Sequence, residues 1–391
     1  MNNKNIGNLV AKIIANVEKN GDKSVFDYIK KLDGVDLSKT GLKTPQNLIK
    51  SANKSIPKDL KNAVCSSFKN VSAFHKEELR HIKRSWFMTK SGVKTGQIFS
   101  PIESVGIYVP GGRFSYPSTV IMTAVAAKIA GVKTIAIATP PQKINDVLLF
   151  AADLCGVKNI YTVGGAVAIA ALACGTESIE KVDMIVGPGN MYVNEAKRQV
   201  FGKVGIDSLA GPSEVAIIAD KNAPLDFIEA DIMAQAEHDP AAKAFLFSES
   251  AKTVAELKKR LPSFALKQTI FEVCSIDEAI EKSNQLAPEH LELLIKNPAK
   301  LISKIKNAGA VFAGYLTPTA AGDYWAGPSH VLPTQSSAKF SSGLSVATFL
   351  KRSSYAQILA PSQTAYSQIA AFAESEGLIW HKKSALRRNG E

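Results

Sequence analysis

Six histidines occur in the 391 residues, and four of them stand among acids, glycines and prolines. Imidazole in such company can move protons near neutral pH or ligate a metal. Gln235-Ala236-Glu237-His238 closes a helical stretch. Gln235 and His238 are three residues apart and share a helix face. That spacing suits a ligand pair and equally a helix end whose histidine meets the last carbonyls. Pro288-Glu289-His290 reads as the opening of a helix. A neighbouring carboxylate and imidazole there could enter one cleft as a coupled base and proton acceptor, or lie exposed. Between Gly322 and His330, the residues Asp323, Tyr324, Trp325 and His330 are set among glycines, a composition common in binding loops. Glu376 and His381 lie in the tail, where solvation is the ordinary expectation. His75 and His81 fall in a polar region and are expected on the surface. Histidine, aspartate and a glutamine amide oxygen suit zinc or manganese, and no cysteine is offered. These pieces are far apart in sequence, so only the fold could assemble them.

Three glycine-rich turns each join an apolar strand to a helix: Pro110-Gly111-Gly112, Gly164-Gly165 and Gly187-Pro188-Gly189-Asn190. Glycine lets a backbone approach a pyrophosphate, and a helix N-terminus presents N–H groups to it. None of the turns has the G-x-G-x-x-G spacing. Each is therefore compatible with simple helix entry as well as with a phosphate cradle.

The elements that must position these residues change character along the chain. Residues 1–100 read as polar helices, with apolar spacing at Asn8–Val17 and Val25–Leu32. Leu60–Met88 is predicted as one or two long helices and Gly92–Pro101 as a turn-rich link. From Val105 onward, strands and helices alternate. Strands are predicted at Val105–Val109, Thr134–Thr139, Ile160–Val163 and Val182–Val186. Helices fall between and after them; the first is capped by Ser118 and stopped by Gly131. A second run follows, with strands at Glu214–Ala219, Ala244–Phe247, Thr269–Val273 and Ala310–Ala313. Such alternation predicts α/β architecture with parallel sheets flanked by helices. After Gly343 short helices and a basic end are expected.

Composition agrees with a folded α/β protein. Hydrophobic residues make up 46% and charged residues 21%, which excludes wholesale disorder and collagen-like repeats. The length corresponds to about two to three domains. Cys65, Cys155, Cys174 and Cys274 form no C-x-x-C pair, so a reducing cytoplasm is the natural setting. No signal peptide is apparent, and no apolar run is long enough for a membrane span. The net charge of +12 is concentrated in the first hundred residues and the last eleven. Basic ends raise nucleic acid as a partner, yet the lysines are scattered singly with few aromatics between them. A solvated basic surface is the better reading.

Taken together, the segments SVGIYVPGG, VGGAVAIAALACGTE, VDMIVGPGNMYVNEAKRQV, AGPSEVAIIAD, AQAEHDP, APEHLEL, AGDYWAGPSHVLPT, FSSGLSVATFLKR and EGLIWH resemble the histidinol dehydrogenase family, in order and spacing. The resemblance runs from about Trp86 to Arg388. It implies oxidation of L-histidinol to L-histidine in two NAD-dependent steps. It implies zinc held by Gln235, His238, Asp323 and His381, all four at the substrate. His290 would be the base for the alcohol proton and would also meet the substrate. Glu289 would activate water on the aldehyde. Ser213, His330 and Glu376 resemble substrate contacts, and Tyr108, Val167 and Asn190 stand at NAD-contacting positions. Val167 replaces the family's usual glutamine and cannot supply amide hydrogen bonds; Ser329 replaces a usual asparagine. The family is a homodimer whose tail, here with Glu376 and His381, reaches the partner's site.

The implied fold is two incomplete Rossmann-like domains, one inserted in the other, with helical N- and C-terminal extensions. The expected division is an arm of residues 1–21, a metal and catalytic domain of 22–107 with 215–343, an NAD domain of 108–214, and a tail of 344–391. Two alternatives compete with this reading. One keeps the fold and zinc for another polar alcohol; the other is a nucleic-acid-binding role for the basic N-terminal region.

Overall fold

The computed structural model describes residues 3–82, 85–111, 115–360 and 363–389. Gly112 of the first glycine turn lies outside the described residues. The chain forms two compact units, one of Met1–Leu79 with Ile102–Phe349, the other of Arg80–Pro101 with Leu350–Glu391.

The larger unit opens with α1 (Asn3–Asp33), α2 (Gln46–Ser51) and α3 (Lys58–His81). The two apolar stretches predicted in the first helical region both lie in α1, which breaks at Gly21, φ 55° and ψ −138°. The break is anchored: Glu177 Oε2 accepts the Asp22 N–H at 2.7 Å. On α3 the buried stripe is Val64, Ser67, Val71 and His75. His75 therefore faces inward, 0% exposed, against the surface expectation. Its imidazole Nδ1 lies 2.8 Å from Glu78 Oε2, which also accepts the Val346 N–H at 3.0 Å. The helical period, not the polarity of the neighbours, decided its place. His81 is exposed as expected.

The smaller unit begins with β1 (Trp86–Lys90) and β2 (Val93–Pro101), strands where a helix end and a link were predicted. These two strands and a late third one form an antiparallel sheet.

The first five-stranded sheet of the larger unit contains β3 (Ser104–Tyr108), β4 (Thr134–Thr139), β5 (Asn159–Thr162), β6 (Met184–Val186) and β7 (Gly205–Ile206). All pairings are parallel, in the order β5-β4-β3-β6-β7. Its helices are α4 (Pro117–Ala130), α5 (Asp146–Cys155), α6 (Gly165–Cys174) and α7 (Met191–Val200). Helix α4 starts at Pro117 with Tyr116 as N-cap rather than Ser118; proline at the first position loses no helix bond. Gly131 ends it in the left-handed region, φ 97°, as read from sequence. Ala166–Ala173 of α6 is buried throughout, because α1 packs over it on the side away from the sheet.

The second sheet contains β8 (Glu214–Ala219), β9 (Lys243–Ser248), β10 (Thr269–Val273), β11 (His290–Leu294) and β12 (Ala310–Ala313), all parallel in the order β10-β9-β8-β11-β12. In both sheets the first strand is central, the next two step outward on one side and the last two on the other. That is the Rossmann order without its sixth strand. Helices α8 (Leu225–His238), α9 (Ala251–Arg260), α10 (Ser263–Gln268) and α11 (Ile276–Leu286) flank this sheet. Val215, Ile217 and Ala219 face the α8 layer, and Ala216 and Ile218 face the α11 layer, the two-residue alternation of a strand buried on both sides. A short helix, α12 (Thr319–Tyr324), follows the sheet.

The chain then returns to the smaller unit as β13 (Leu350–Ile358), α13 (Gln363–Ser375) and α14 (Ile379–Leu386). β13 is a strand where short helices were predicted; it pairs with β2 from Leu350 opposite Pro101 to Ile358 opposite Val93. Partners that far apart in sequence leave little local signal. Among the described residues no helix is long and apolar enough to cross a membrane.

Candidate active site

The catalytic candidates gather at the edge of the second sheet where its strands begin. Pro288-Glu289-His290 does not open a helix. Ala287 ends α11 in the left-handed region, φ 51°, and His290 starts β11, paired with Val215 on one side and Ala310 on the other. An inner parallel strand buries both faces, which explains the continuous burial of His290-Leu291-Glu292-Leu293-Leu294. Glu289 sits just before the strand. Its Oε2 accepts the Ser213 hydroxyl at 2.5 Å and the Glu214 N–H at 3.1 Å. His290 Nδ1 is 3.7 Å from that same oxygen. Both side chains are nearly buried, and His290 Nδ1 has no hydrogen-bond partner. Gly309 lets β12 enter close by: a Cβ there would lie 2.5 Å from the Glu289 carbonyl oxygen. Burial and the charge of Glu289 raise the Glu214 carboxyl above its ordinary range.

Two further segments reach this edge. Helix α8 connects parallel strands and so runs back against them, ending at the edge where the strands start. It delivers Gln235, buried with its amide nitrogen unpartnered, and His238, exposed at the last position. The loop after β12 delivers Asp323 on α12 and then His330. Phe312 joins the two groups: its ring lies 5.8 Å from the His290 ring, and a Cβ on Gly322 would meet it at 2.6 Å. Asp323 Oδ1 lies 3.5 Å from His330 Nδ1. Burial opposes ionisation of Asp323, yet the hydrogen bond and charge of His330, with the charges of His290 and His238, hold its carboxyl below the usual range.

His330 also touches the first sheet's domain. Its Nε2 is 3.4 Å from Thr119 Oγ1, in the first turn of α4. Helix α4 begins where β3 has ended, so the carboxyl edge of the first sheet meets the amino edge of the second. On that first edge, Tyr108 closes β3 and is 3% exposed; its hydroxyl accepts the Gly165 N–H at 3.0 Å, and burial pushes its phenol up to about 12. Asn190 caps α7, accepting the Tyr192 and Val193 N–H groups at 3.0 and 3.2 Å. Val167 points into the apolar cluster of α6, 2% exposed. Gly111 and Gly164 are packed against Pro140, where a Cβ would meet Pro140 Cγ at 2.4 and 2.6 Å. Gly165, φ +62°, has open space on its Cβ side. Glu376 and His381 belong to the smaller unit, the first between α13 and α14 and the second on α14, both exposed.

Among the described residues, no three His, Cys, Asp or Glu side chains converge as a metal site. The expected set supplies only two of those types in the larger unit, His238 and Asp323, beside the Gln235 amide.

The histidinol dehydrogenase family model matches residues 1–389. The chain is 44% identical over 398 residues to a histidinol dehydrogenase of Thermosynechococcus vestitus, covering 97% of this chain and 92% of that one. It is 44% identical over 410 residues to that of Lactococcus lactis, covering 99% and 94%. The crystal structure of histidinol dehydrogenase from Elizabethkingia anophelis superposes with a TM-score of 0.90 at 36% identity, covering 97% of this chain and 91% of that one. The chain belongs to the histidinol dehydrogenase family. The family match includes both sheets and the α13–α14 pair, so the smaller unit is part of the histidinol dehydrogenase chain and not an appendage.

Two acidic residues of this neighbourhood are absent from the candidates named from sequence. Asp231 lies one helical turn before Gln235 on α8 and acts on Glu292, two residues after His290 on β11. Glu292 is 0% exposed, and burial with the neighbouring Asp231 carboxyl raises it to about 10; Asp231 is raised by burial too. The available signal was a lone carboxylate in the apolar run His290–Leu294.

Proposed function

We propose that this chain oxidises L-histidinol to L-histidine through L-histidinaldehyde, using two NAD and one zinc ion. The observation that carries the reading is the Ser213–Glu289–His290 group beside Asp323 and His330, at the meeting of the two sheet edges. The imidazole of His290 takes the alcohol proton as the substrate carbon loses a hydride. Glu289, held by Ser213 and the Glu214 N–H, takes a proton from the water that adds to the aldehyde. The resulting hydrate anion loses a second hydride, and the carboxylic acid so formed gives up its proton to solvent, leaving the carboxylate of histidine. NAD supplies the hydride acceptor for each oxidation.

Its site is proposed at the carboxyl edge of the first sheet, where β4 and β6 leave β3 in opposite directions, the usual place for a dinucleotide. Tyr108 and Asn190 border that edge and the open backbone at Gly165 permits close approach. Val167 faces inward, so this chain makes its NAD contacts without that side chain. Zinc suits Gln235, His238 and Asp323 by donor chemistry: a buried amide that offers its oxygen, an exposed imidazole and a carboxylate kept ionised. When bound it supplies Lewis acidity and orientation of the substrate's nitrogens.

His381 would complete the zinc set and Glu376 the amine contact, from a second copy of the chain. The smaller unit's exposed Phe372, Ile379 and Trp380 support such a homodimer, since solvent-facing apolar groups of this size favour burial. Four free cysteines suit a cytoplasmic enzyme.

The test is NADH formation from L-histidinol by the purified protein before and after chelation. Two NADH per histidinol, lost with the chelator and restored by zinc, is expected. No turnover with zinc replaced and NAD saturating, or a preference for another alcohol, overturns the reading.

A further inference from the structure

One buried ion pair in the larger unit has no part in the chemistry above. Lys197 on α7 is 0% exposed, and its Nζ lies 2.5 Å from Asp207 Oδ1, just after β7. Each partner also holds Gly187, the first residue of the Gly187–Asn190 turn. Lys197 Nζ donates to the Gly187 carbonyl at 3.0 Å, and Asp207 Oδ2 accepts the Gly187 N–H at 2.7 Å. Both polar groups of one residue are therefore taken by the two halves of one ion pair. Gly187 itself has φ +113°, and a Cβ on it would lie 2.2 Å from the Tyr108 carbonyl oxygen. The turn is pressed onto the end of β3 and clamped there.

Helix α7 repeats the pattern along one face. Asn190, Asn194 and Lys197 are spaced four and three apart and so line one side. The Asn194 amide donates to the Gly189 carbonyl at 3.2 Å and to the Ala210 carbonyl, and its oxygen accepts the Ala210 N–H at 3.2 Å. The same face thus ties the turn to residues 207–210, three residues before Ser213 and its bond to Glu289. Burying a charge pair carries a desolvation cost that an apolar pair would avoid. What the ion pair adds here is direction: two bonds that fit only one orientation of the Gly187 peptide.

We propose that Lys197 and Asp207, with Asn194 beside them, are positioning residues for nucleotide binding. They fix the Gly187–Asn190 turn in the pose that receives NAD. The proposal rests on the reading that this turn contacts NAD.

The test is the double variant Lys197→Met/Asp207→Asn. It removes both charges, keeps an oxygen for the Gly187 N–H and avoids leaving one charge unpaired. NAD binding is followed by titration calorimetry and by KM, alongside kcat and the KM for L-histidinol. The expected result is a rise in the Kd and KM for NAD of about tenfold, the scale of one lost charged hydrogen bond. At saturating NAD, kcat and the histidinol KM stay within about twofold, since His290 and Glu289 are untouched. Asn194→Leu, which disturbs no charge, carries the same direction of change and serves where the double variant does not fold. Asn190→Ala separates the two ideas. If it weakens NAD binding while the folded double variant and Asn194→Leu do not, the pair is only structural and the proposal fails. If none of the three moves NAD affinity, the turn is not the NAD site and both readings fall.

Discussion

Replacing Glu292 by glutamine tests the electrostatics behind the site. Glu292 lies on the same face of β11 as His290, fully buried, with its carboxyl raised from 4.5 to about 10. Burial is the larger cause and the facing Asp231 the next. A carboxyl raised in the folded state binds a proton there that the unfolded chain releases above about pH 4.5. Folding is therefore unpenalised at low pH, and stability is lost steadily as pH rises toward 10. At about pH 7.5 the gap is roughly three pH units, or about 4 kcal/mol at 1.36 kcal/mol per unit. Glu292→Gln keeps the shape and a donor toward Asp231 but has no proton to lose. The variant is expected to match the parent near pH 5 and to exceed it progressively, by roughly 1.4 kcal/mol per pH unit, up to about pH 9. Urea unfolding followed by circular dichroism, with variant and parent compared at each pH, cancels the titrating groups remote from the Glu292–Asp231 pair. A difference that does not change with pH, or a variant less stable at high pH, refutes the claim that Glu292 is carried neutral.

Other outcomes follow from the same geometry. His290→Asn is expected to lower kcat by roughly 100- to 10,000-fold with an unchanged circular dichroism spectrum; near-normal turnover removes His290 as the base. Val167→Gln places an amide in the apolar cluster around α6 and is expected to cost about 1–3 kcal/mol, read as a lower melting temperature with no gain in NAD affinity. A lower KM for NAD without loss of stability would show that the position does reach the cofactor. Gly187→Ala, meeting the Tyr108 carbonyl oxygen at 2.2 Å in a left-handed conformation, is expected to destabilise by more than about 1 kcal/mol; a melting curve identical to the parent's contradicts the packing described.

Much of the scaffold was legible in the residues alone. β8, β10 and β12 match their predicted strands because short apolar runs between turn residues carry their own signal, and Gly131 ended α4 because only glycine takes that conformation cheaply. The histidines and acids that gather at the second sheet's edge could be named from their types, and the family from their segments. What needed the tertiary structure was everything set by distant partners. β13 became a strand because it pairs with β2, about 250 residues earlier in the chain, which no local window contains; β1 and β2 form a local hairpin across Ser91-Gly92, both at positive φ, where a helix end and a link were expected. His75 went inside because the stripe of α3 that carries it faces the core. His290 became the first residue of an inner strand, not a helix, because Val215 and Ala310 were waiting on either side. The Glu289 carboxylate gained its partners Ser213 and Glu214, and Lys197 its place under Gly187, in the same way. Residue type sets what a side chain can do, and the neighbours that folding brings from elsewhere in the chain set its charge, its orientation and its partner.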